Sequence, residues 1–235
     1  MSENLLKIEG LTAWYDPDKK ILKDMDIELN KNEIVGMIGL NGAGKTTFLK
    51  TLTGLLKGYD IEKKTFEGKD INFRDNAFKT KRYVAFAEDS SFGYFTFREY
   101  LTYVSKAYKK ELHDVDEMIE GFHFEEFTDV LLKDLSTGNQ KKAFLITGFA
   151  LRPELLLLDE PVNGLDFQST EYLYSLIAGY KKYGTLLFSS HILESITLTS
   201  DRVLVLENGN ISKKFTGDEI NATSIREALS YDDII

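Results

Sequence analysis

The sequence predicts an α/β fold: a core with a parallel sheet, an antiparallel β subdomain and an inserted helical subdomain. Short apolar runs at 155–158, 185–188 and 203–206 do not alternate with polar residues, which is typical of parallel strands buried on both faces. Residues 1–35 do alternate, as antiparallel strands with one exposed face do. In the middle of the chain, from about 97 to 132, apolar residues recur at helical spacing.

The chain begins with a predicted antiparallel ribbon. Alternation runs through 6–9 and 25–29, and Asp16-Pro17-Asp18 supplies the turn between the two strands. After a buried strand and a glycine-rich loop, a helix is predicted from about 46 to 55 or 56, where Gly58 stops it. This order places the glycine-rich loop between a strand and a helix.

The glycine-rich loop predicts a nucleotide site. It lies between the apolar run at 34–38 and a helix-like stretch that begins at Thr47. It matches G-x-x-x-x-G-K-[ST] in full, reading Gly39-Leu40-Asn41-Gly42-Ala43-Gly44-Lys45-Thr46. The backbone N–H groups of such a loop and the following helix N-terminus cradle phosphates. We expect Lys45 to reach the β- and γ-phosphates and the Thr46 hydroxyl to coordinate Mg²⁺, as in a P-loop NTPase core.

The middle of the chain is predicted to form a helical lobe inserted into a single domain. The predicted boundaries are 1–235 for the whole domain, 88–147 for the lobe, and 1–87 and 148–235 for the α/β core. Ser136 starts a further helix as its N-cap, and Arg152-Pro153 ends that helix. At the helix start, the Ser136 hydroxyl and the Gly138 N–H form a second candidate anion site.

Two carboxylates follow the apolar run at 155–158, at the edge where ligands of open α/β sheets bind. Because adjacent strand residues point to opposite sides, Asp159 is expected to face Mg²⁺ beside Thr46, while Glu160 faces the water that attacks the γ-phosphate. A general base in that role contributes typically about 10² to 10⁴ in rate. His191 follows another apolar strand, and we expect it to donate to the γ-phosphate.

Composition indicates which partners and which cellular compartment to expect. The chain has 235 residues and a formal net charge of −9, so long-range attraction to nucleic acid or to anionic lipid is not expected. It has no cysteine, which fits a reducing compartment, and its longest apolar runs are too short to cross a bilayer. We therefore expect a soluble protein without a nucleic-acid partner.

The order of the motifs carries a family resemblance. The phosphate loop and the helical lobe are followed by Leu135-Ser136-Thr137-Gly138-Asn139, Leu158-Asp159-Glu160-Pro161, Gly164-Leu165-Asp166 and Ser189-Ser190-His191. Together, over about 8–211, they resemble the nucleotide-binding domain of ATP-binding-cassette (ABC) transporters. The resemblance implies an ATPase that binds ATP and Mg²⁺. It also implies a head-to-tail homodimer that sandwiches two ATP molecules at its interface.

The resemblance gives each site residue a role. One chain would supply Gly39, Asn41, Gly42, Ala43, Gly44, Lys45, Thr46, Thr47, Asp159, Glu160 and His191 to each site. The other chain would supply Ser136 and Gly138, and Asp166 would lie in the loop that communicates between the two sites. Tyr15 fits the family's adenine-stacking aromatic residue, with the neighbouring Trp14 as the competing choice.

Two motifs depart from the family pattern. The family signature usually reads Leu-Ser-Gly-Gly-Gln, whereas Thr137 and Asn139 stand at its third and fifth positions here. Where the family has a glutamine that binds Mg²⁺ and senses the γ-phosphate, this chain has Glu88, or Asp89 if the alignment slips by one. A carboxylate can ligate Mg²⁺, so Glu88 is kept as a metal ligand. It also adds a negative charge near the phosphates.

Three classes of function are open. The first is the ATPase subunit of a membrane transporter with separate membrane-spanning subunits, which implies a cytoplasmic, peripheral location on the inner face of the membrane. The stretch from Ser189 to Val203 resembles subunits of bacterial drug or antibiotic-peptide exporters, so export is expected. The alternative is a soluble ABC ATPase without transport, of the iron–sulfur assembly type. A nucleotide-gated module with little turnover, indicated by Glu88 and Thr137, is the third.

An aromatic-rich segment marks a candidate contact with the membrane partner. Phe92, Tyr94 and Phe95 sit in a loop without periodicity, where apolar side chains are best explained by a groove that a partner fills. In the family, a short cytoplasmic helix of the membrane subunit docks in this region. Tyr100 and Tyr108 instead follow helical spacing and are expected in the core.

Overall fold

The computed structural model describes residues 3–89 and 91–229, so the ends of the predicted domain, 1–2 and 230–235, lie outside the described part. The strands are β1 (Asn4–Asp16), β2 (Lys19–Asn30), β3 (Ile34–Ile38), β4 (Gly58–Asp60), β5 (Lys63–Phe66), β6 (Lys69–Asp70), β7 (Arg82–Ala85), β8 (Leu155–Asp159), β9 (Thr185–Ser190), β10 (Arg202–Glu207) and β11 (Asn210–Thr216). The α-helices are α1 (Lys45–Leu52), α2 (Asn76–Lys79), α3 (Phe97–Tyr108), α4 (Val115–Gly121), α5 (Thr137–Leu151), α6 (Phe167–Gly179), α7 (Leu193–Thr199) and α8 (Ala222–Ala228).

Six strands form the central sheet, in the order β11-β10-β3-β9-β8-β7. All neighbouring pairs are parallel except β10 and β11 at one edge. The carboxyl ends of β3, β9, β8 and β7 therefore lie side by side along one edge of the sheet. The ends of these strands and the loops that follow them contain the phosphate loop, the two predicted carboxylates, His191 and Glu88.

Two apolar cores pack on opposite faces of this sheet. Leu155 and Leu157 belong to the core shared with β1, β2 and α1, whereas Leu156 and Leu158 belong to the core shared with the lobe helices. All four side chains are fully buried. Side chains that alternate along one strand thus pack into both cores, which explains the continuous apolar run. The predicted parallel strands are confirmed.

A second sheet confirms the predicted antiparallel subdomain. Its order is β2-β1-β5-β6, and β4 also pairs with β1. The long strands β1 and β2 pair antiparallel with several register shifts, and the chain turns between them at 17–18, inside the predicted turn.

The helix after the phosphate loop is shorter than the spacing predicts. It ends at Leu52, with Thr53 as its C-cap, and Gly54 takes a left-handed backbone angle of φ 74°. The Arg74 guanidinium donates to the Gly54 carbonyl oxygen at 3.3 Å, so this turn is held from another part of the chain. Gly58 does not stop the helix but begins β4. The predicted end at 55 or 56 is therefore wrong.

The helical lobe forms where helical spacing predicts it. A capping box at Thr96 and Glu99 starts α3, and Ser136 caps α5 by accepting from the Asn139 N–H at 3.2 Å. Helix α5 packs against α3 and α4 and also against β7, so it belongs to the lobe and the core at once. The proposed boundary at 147/148 falls inside this continuous helix. Within the described ranges, no helix has the length and hydropathy to cross a bilayer.

Candidate functional site

The phosphate loop joins β3 to α1 with Lys45 as the first helical residue. Gly44 is the N-cap, with φ 114°, and a Cβ there would stand 2.7 Å from Leu22 Cδ2. Only glycine fits this close, left-handed position without strain. The Lys45 side chain is buried, and its ammonium donates to the Gly39 carbonyl oxygen at 2.7 Å and weakly to that of Leu40 at 3.4 Å. The loop thus presents a lysine and a helix N-terminus together.

The end of β8 meets this loop through Asp159. The Thr46 hydroxyl donates to Asp159 Oδ2 at 2.9 Å and lies 3.2 Å from Oδ1. From β9, the Ser189 hydroxyl donates to Asp159 Oδ1 at 2.7 Å. Asp159 is only 2% exposed, so its carboxylate is held by hydroxyl donors rather than by water. The predicted pairing of Thr46 with Asp159 is present.

Glu160 lies next to the same lysine. Its Oε1 is 3.3 Å from Lys45 Nζ, and its Oε2 is 2.9 Å from His191 Nδ1 and accepts from the His191 N–H at 3.2 Å. Strand alternation does not set its direction, because β8 ends at Asp159 and Glu160 takes a left-handed φ of 47°. The turn carries both carboxylates to the phosphate loop, so the predicted division between two sides of the strand is wrong.

Ser136 and Gly138 are not part of this cluster. Ser136 caps its own helix, and a Cβ on Gly138 would stand 2.5 Å from the Gly164 carbonyl oxygen. Within 3–89 and 91–229, no hydrogen bond joins either residue to the loop at 39–46. One chain thus brings together Lys45, Thr46, the two carboxylates and His191, but not the second predicted anion site.

The remaining predicted residues lie around the loop. Tyr15 is 60% exposed, and the Lys50 ammonium of α1 is 6.0 Å from its ring centre. The Trp14 ring is covered by the Lys20 ammonium at 3.2 Å, so Tyr15 is the freer of the two aromatic faces. Glu88 is exposed in the loop after β7. The side chain of Thr47 is buried, whereas Asn41 and Gly42 are exposed and Ala43 is partly buried.

The sequence assigns no contact to two residues of this site. Ser189 appears only as part of the motif Ser189-Ser190-His191, yet its hydroxyl binds Asp159. Lys141 is a lysine near the start of α5, yet its ammonium donates to the Glu160 carbonyl oxygen at 2.9 Å and to that of Asn163 at 2.6 Å. Burial lowers the pKa of Lys141, and the carboxylates of Glu160, Asp159 and Glu88 oppose that shift.

The oxygen ligands present fit Mg²⁺ bound together with phosphates. In the described part of the chain, no group of three or more His, Cys, Asp and Glu residues is arranged to hold a metal. Thr46 and Asp159 offer two kinds of oxygen ligand side by side. Mg²⁺ is usually held by one or two carboxylates plus substrate phosphates and waters, so a partial protein shell of this kind suits it.

Comparison with known proteins agrees with this geometry. The family model described as ABC transporter matches residues 22–163. The putative ABC transporter ATP-binding protein AlbC of Bacillus subtilis is 35% identical over 220 residues, 89% of this chain and 91% of that protein. The phosphate import ATP-binding protein PstB of Mycoplasma pneumoniae is 28% identical over 237 residues, which cover 93% of this chain and 71% of that protein. A solved ATP-binding subunit of an ABC transporter matches with a TM-score of 0.82 at 25% identity, covering 96% of this chain and 94% of its own.

The family match contains part of the site described above. It begins inside β2 and ends just beyond Glu160, so it includes the phosphate loop and both carboxylates but not Ser189 or His191. Outside it, the similarity to AlbC extends over most of both chains. From motif, geometry and similarity together, this chain belongs to the ABC transporter family and is an ATP-binding subunit with ATPase activity.

Proposed function

We propose that the cluster at the end of β3, β8 and β9 hydrolyses MgATP with the roles that the sequence predicts. The observation that carries this proposal is the position of Glu160, within 3.3 Å of Lys45 and 2.9 Å of His191. Lys45 binds the β- and γ-phosphates, exchanging its carbonyl partners for phosphate oxygens. Thr46 and Asp159 hold Mg²⁺, which neutralises developing charge on the phosphates when bound.

Glu160 and His191 complete the reaction centre. Glu160 orients a water for attack and takes its proton, because its carboxylate is held by His191 on one side and the lysine on the other. His191 donates to the γ-phosphate from its other ring nitrogen, since Nδ1 faces Glu160. Glu88, exposed after β7, is the further Mg²⁺ ligand in place of the family glutamine. The backbone of 39–44 and the start of α1 cradle the phosphates.

The second anion site points to a dimer. Ser136 and Gly138 sit at the start of α5 and make no hydrogen bond to the loop of their own chain among the described residues. In a head-to-tail homodimer they cover the phosphates bound by the partner chain, with one ATP in each of two shared sites. Asp166 then lies in the loop between the sites, where its carboxylate accepts from Lys142 at 2.8 Å. That hydrogen bond lowers the pKa of Asp166.

The transporter role requires a membrane-spanning subunit, which we propose to be a separate chain. Support comes from AlbC, whose name is that of an ATP-binding protein and 91% of whose length is matched. The location is then cytoplasmic and peripheral on the membrane. Export rests on the resemblance of 189–203 to exporter subunits. The test is to purify the full chain from detergent-solubilised membranes. We expect a co-purifying protein with several apolar segments of about 20 residues each, and higher ATPase activity in its presence.

A groove between the core and α3 is the proposed docking site for that subunit. It has a volume of about 900 Å³ and is lined by Leu55, Val84, Tyr103 and Tyr108 among others. Leu55 is 63% exposed although it is a large apolar side chain. A second depression of about 410 Å³ shares these residues and adds Phe92. Apolar exposure of this kind marks a protein interaction site.

The aromatic loop, which the sequence predicts as the partner contact, is harder to test by substitution. Phe92 packs against Phe95, Tyr100 and Tyr103, with ring centres 5.0–5.6 Å apart, so its replacement also weakens the lobe. Tyr94 is outside both depressions, and the Lys133 ammonium lies 4.2 Å from its ring centre. Leu55 is therefore the cleaner residue with which to test the groove.

Leu55→Ser is expected to uncouple the chain from its membrane subunit. The isolated chain should bind and hydrolyse ATP as before, because Leu55 lies beyond the end of α1, outside the phosphate loop and outside the turn that carries Asp159 and Glu160. Co-purification from detergent should fall by about tenfold or more, as for an apolar residue central to an interface. Leu198→Ser is the matched control, since Leu198 is 62% exposed on α7, away from the groove. If both variants retained the membrane subunit equally, the groove would be excluded as its docking site.

Tyr15→Ala is expected to weaken ATP binding by about 5- to 150-fold, since stacking on a base is worth about 1–3 kcal/mol. Trp14→Ala should lower thermal stability instead, because that ring packs against Lys20 and against the backbone at Gly58. Equilibrium binding of a fluorescent ATP analogue to both variants separates the two candidates. A larger affinity loss in Trp14→Ala would assign the adenine contact to Trp14.

A further inference from the structure

Two buried lysines attach the start of α5 to the turn after β8. Lys141 and Lys142 are 7% and 6% exposed. Lys141 donates to the carbonyl oxygens of Glu160 and Asn163, at 2.9 and 2.6 Å. Lys142 donates to the Asp166 carboxylate at 2.8 Å. The segment 160–166 is therefore held at three points by one helix.

The turn at Glu160 needs such support. Its φ of 47° is a left-handed conformation that non-glycine residues adopt only at an energetic cost. The same turn decides where the carboxylate points, because Glu160 stands one residue beyond the end of β8. The Lys141 ammonium is the closer of two donors to the buried carbonyl oxygen of this strained residue, at 2.9 Å, and the Asn163 N–H donates to the same oxygen at 3.3 Å. Without the ammonium, this carbonyl oxygen keeps only the longer hydrogen bond, so the left-handed turn is less well stabilised.

We propose that Lys141 is a positioning residue for Glu160: its ammonium holds the left-handed turn that places the Glu160 carboxylate between Lys45 and His191. This inference rests on the proposed role of Glu160 in ATP hydrolysis. Lys141 touches the backbone of Glu160 and not its carboxylate, so it acts on turnover through geometry. The contact joins α5 to the turn within one chain.

The helix that carries Lys141 also carries the second anion site. Ser136 caps α5, and Lys141 lies five positions further along, or roughly 7–8 Å along the helix axis. Gly138, between them, packs so closely on Gly164 that a Cβ would stand 2.5 Å from its carbonyl oxygen. The start of α5 and the turn after β8 are therefore closely packed as well as hydrogen-bonded.

Charge around Lys141 supports the role. Burial lowers the pKa of Lys141, and the negative charges of Glu160, Asp159 and Glu88 oppose that shift. The Glu160 carboxylate itself is paired with Lys45. Arginine at this position would keep a positive charge.

The test compares full-length Lys141→Met and Lys141→Arg with Ile146→Ala. Ile146 is fully buried on the same helix, and its truncation lowers stability without touching the turn. We expect Lys141→Met to lower kcat by about 10- to 100-fold, as for a misplaced catalytic group, with KM and the Kd for MgATP within about twofold. Lys141→Arg, which keeps the positive charge and the N–H donors, should recover most of kcat.

Each comparison can overturn the inference. A kcat loss in Lys141→Met no larger than in Ile146→Ala, at equal fraction folded, would reduce Lys141 to a stabilising residue. If Lys141→Met does not fold, Lys141→Gln takes its place, because its shorter side chain moves the donor away from the carbonyl oxygens of Glu160 and Asn163; a wild-type kcat in that variant contradicts the role. A Glu160→Gln chain that still turns over would instead refute the proposed function. Loss in Glu160→Gln with normal turnover in Lys141→Met refutes only this inference.

Discussion

Glu160→Gln is expected to stop ATP turnover while MgATP binding is retained. The amide keeps the shape of the side chain but cannot take a proton from water, so the loss should be about 10² to 10⁴ in kcat, or roughly 3 to 5 kcal/mol of barrier. Binding should survive because Lys45, Thr46 and Asp159 are unchanged and keep their places. Removal of the charge 3.3 Å from Lys45 also frees that lysine for phosphate. With hydrolysis blocked, the ATP-bound dimer should accumulate.

Glu154→Gln provides the matched control for this experiment. Glu154 precedes β8, at the opposite end of the strand, and forms an ion pair with Lys81 near the surface. The same chemical change there should leave kcat as in the wild type. Steady-state hydrolysis, equilibrium nucleotide binding and size-exclusion chromatography in MgATP are measured on both variants. Turnover by Glu160→Gln within about threefold of the wild type would show that Glu160 is not the base.

Ser136→Arg is expected to abolish ATP-dependent dimerisation of the chain. Arginine fills the helix end that is proposed to face the partner's phosphates. Nucleotide affinity of the isolated chain should stay nearly intact, because the loop at 39–46 makes no described hydrogen bond to Ser136. Loss of the N-cap alone costs only about 1 kcal/mol, too little to unfold a domain of this size. Dimerisation is best measured in a Glu160→Gln background, where ATP hydrolysis does not dissociate the dimer.

Thr96→Arg separates the loss of a cap from the loss of a phosphate contact. Thr96 caps α3 with a capping box, so its replacement removes a cap of at least equal strength at another helix. That variant should still dimerise with MgATP. Mixing Ser136→Arg with Lys45→Ala chains should restore at most one functional site per heterodimer, because one site then has an intact loop and an intact Ser136. Dimers formed by Ser136→Arg alone would disprove a shared site.

Local patterns were sufficient for most of the fold and for the chemistry of the site. The phosphate loop, the cap at Ser136 and the buried parallel strands depend on neighbouring residues and on the periodicity of the sequence. Such features involve short separations, so turn chemistry and alternation predict them. The pairing of Thr46 with Asp159 was also predicted, because a loop and a carboxylate at strand ends share one edge of a parallel sheet.

Folding settles the features that depend on distant contacts. The strand order that puts β9 between β3 and β8 brings Ser189 to Asp159 and joins Thr46 to a carboxylate 113 positions away. The left-handed turn at Glu160 and its lysine support are likewise invisible in a local pattern, since an ordinary strand would have sent this side chain to the other face. The early end of α1 is instead a local feature, because Gly54 is left-handed and the Leu55 N–H donates to the Lys50 carbonyl oxygen at 3.0 Å. Contacts over such separations form only when the whole sheet assembles, and their energy then overrides local preference.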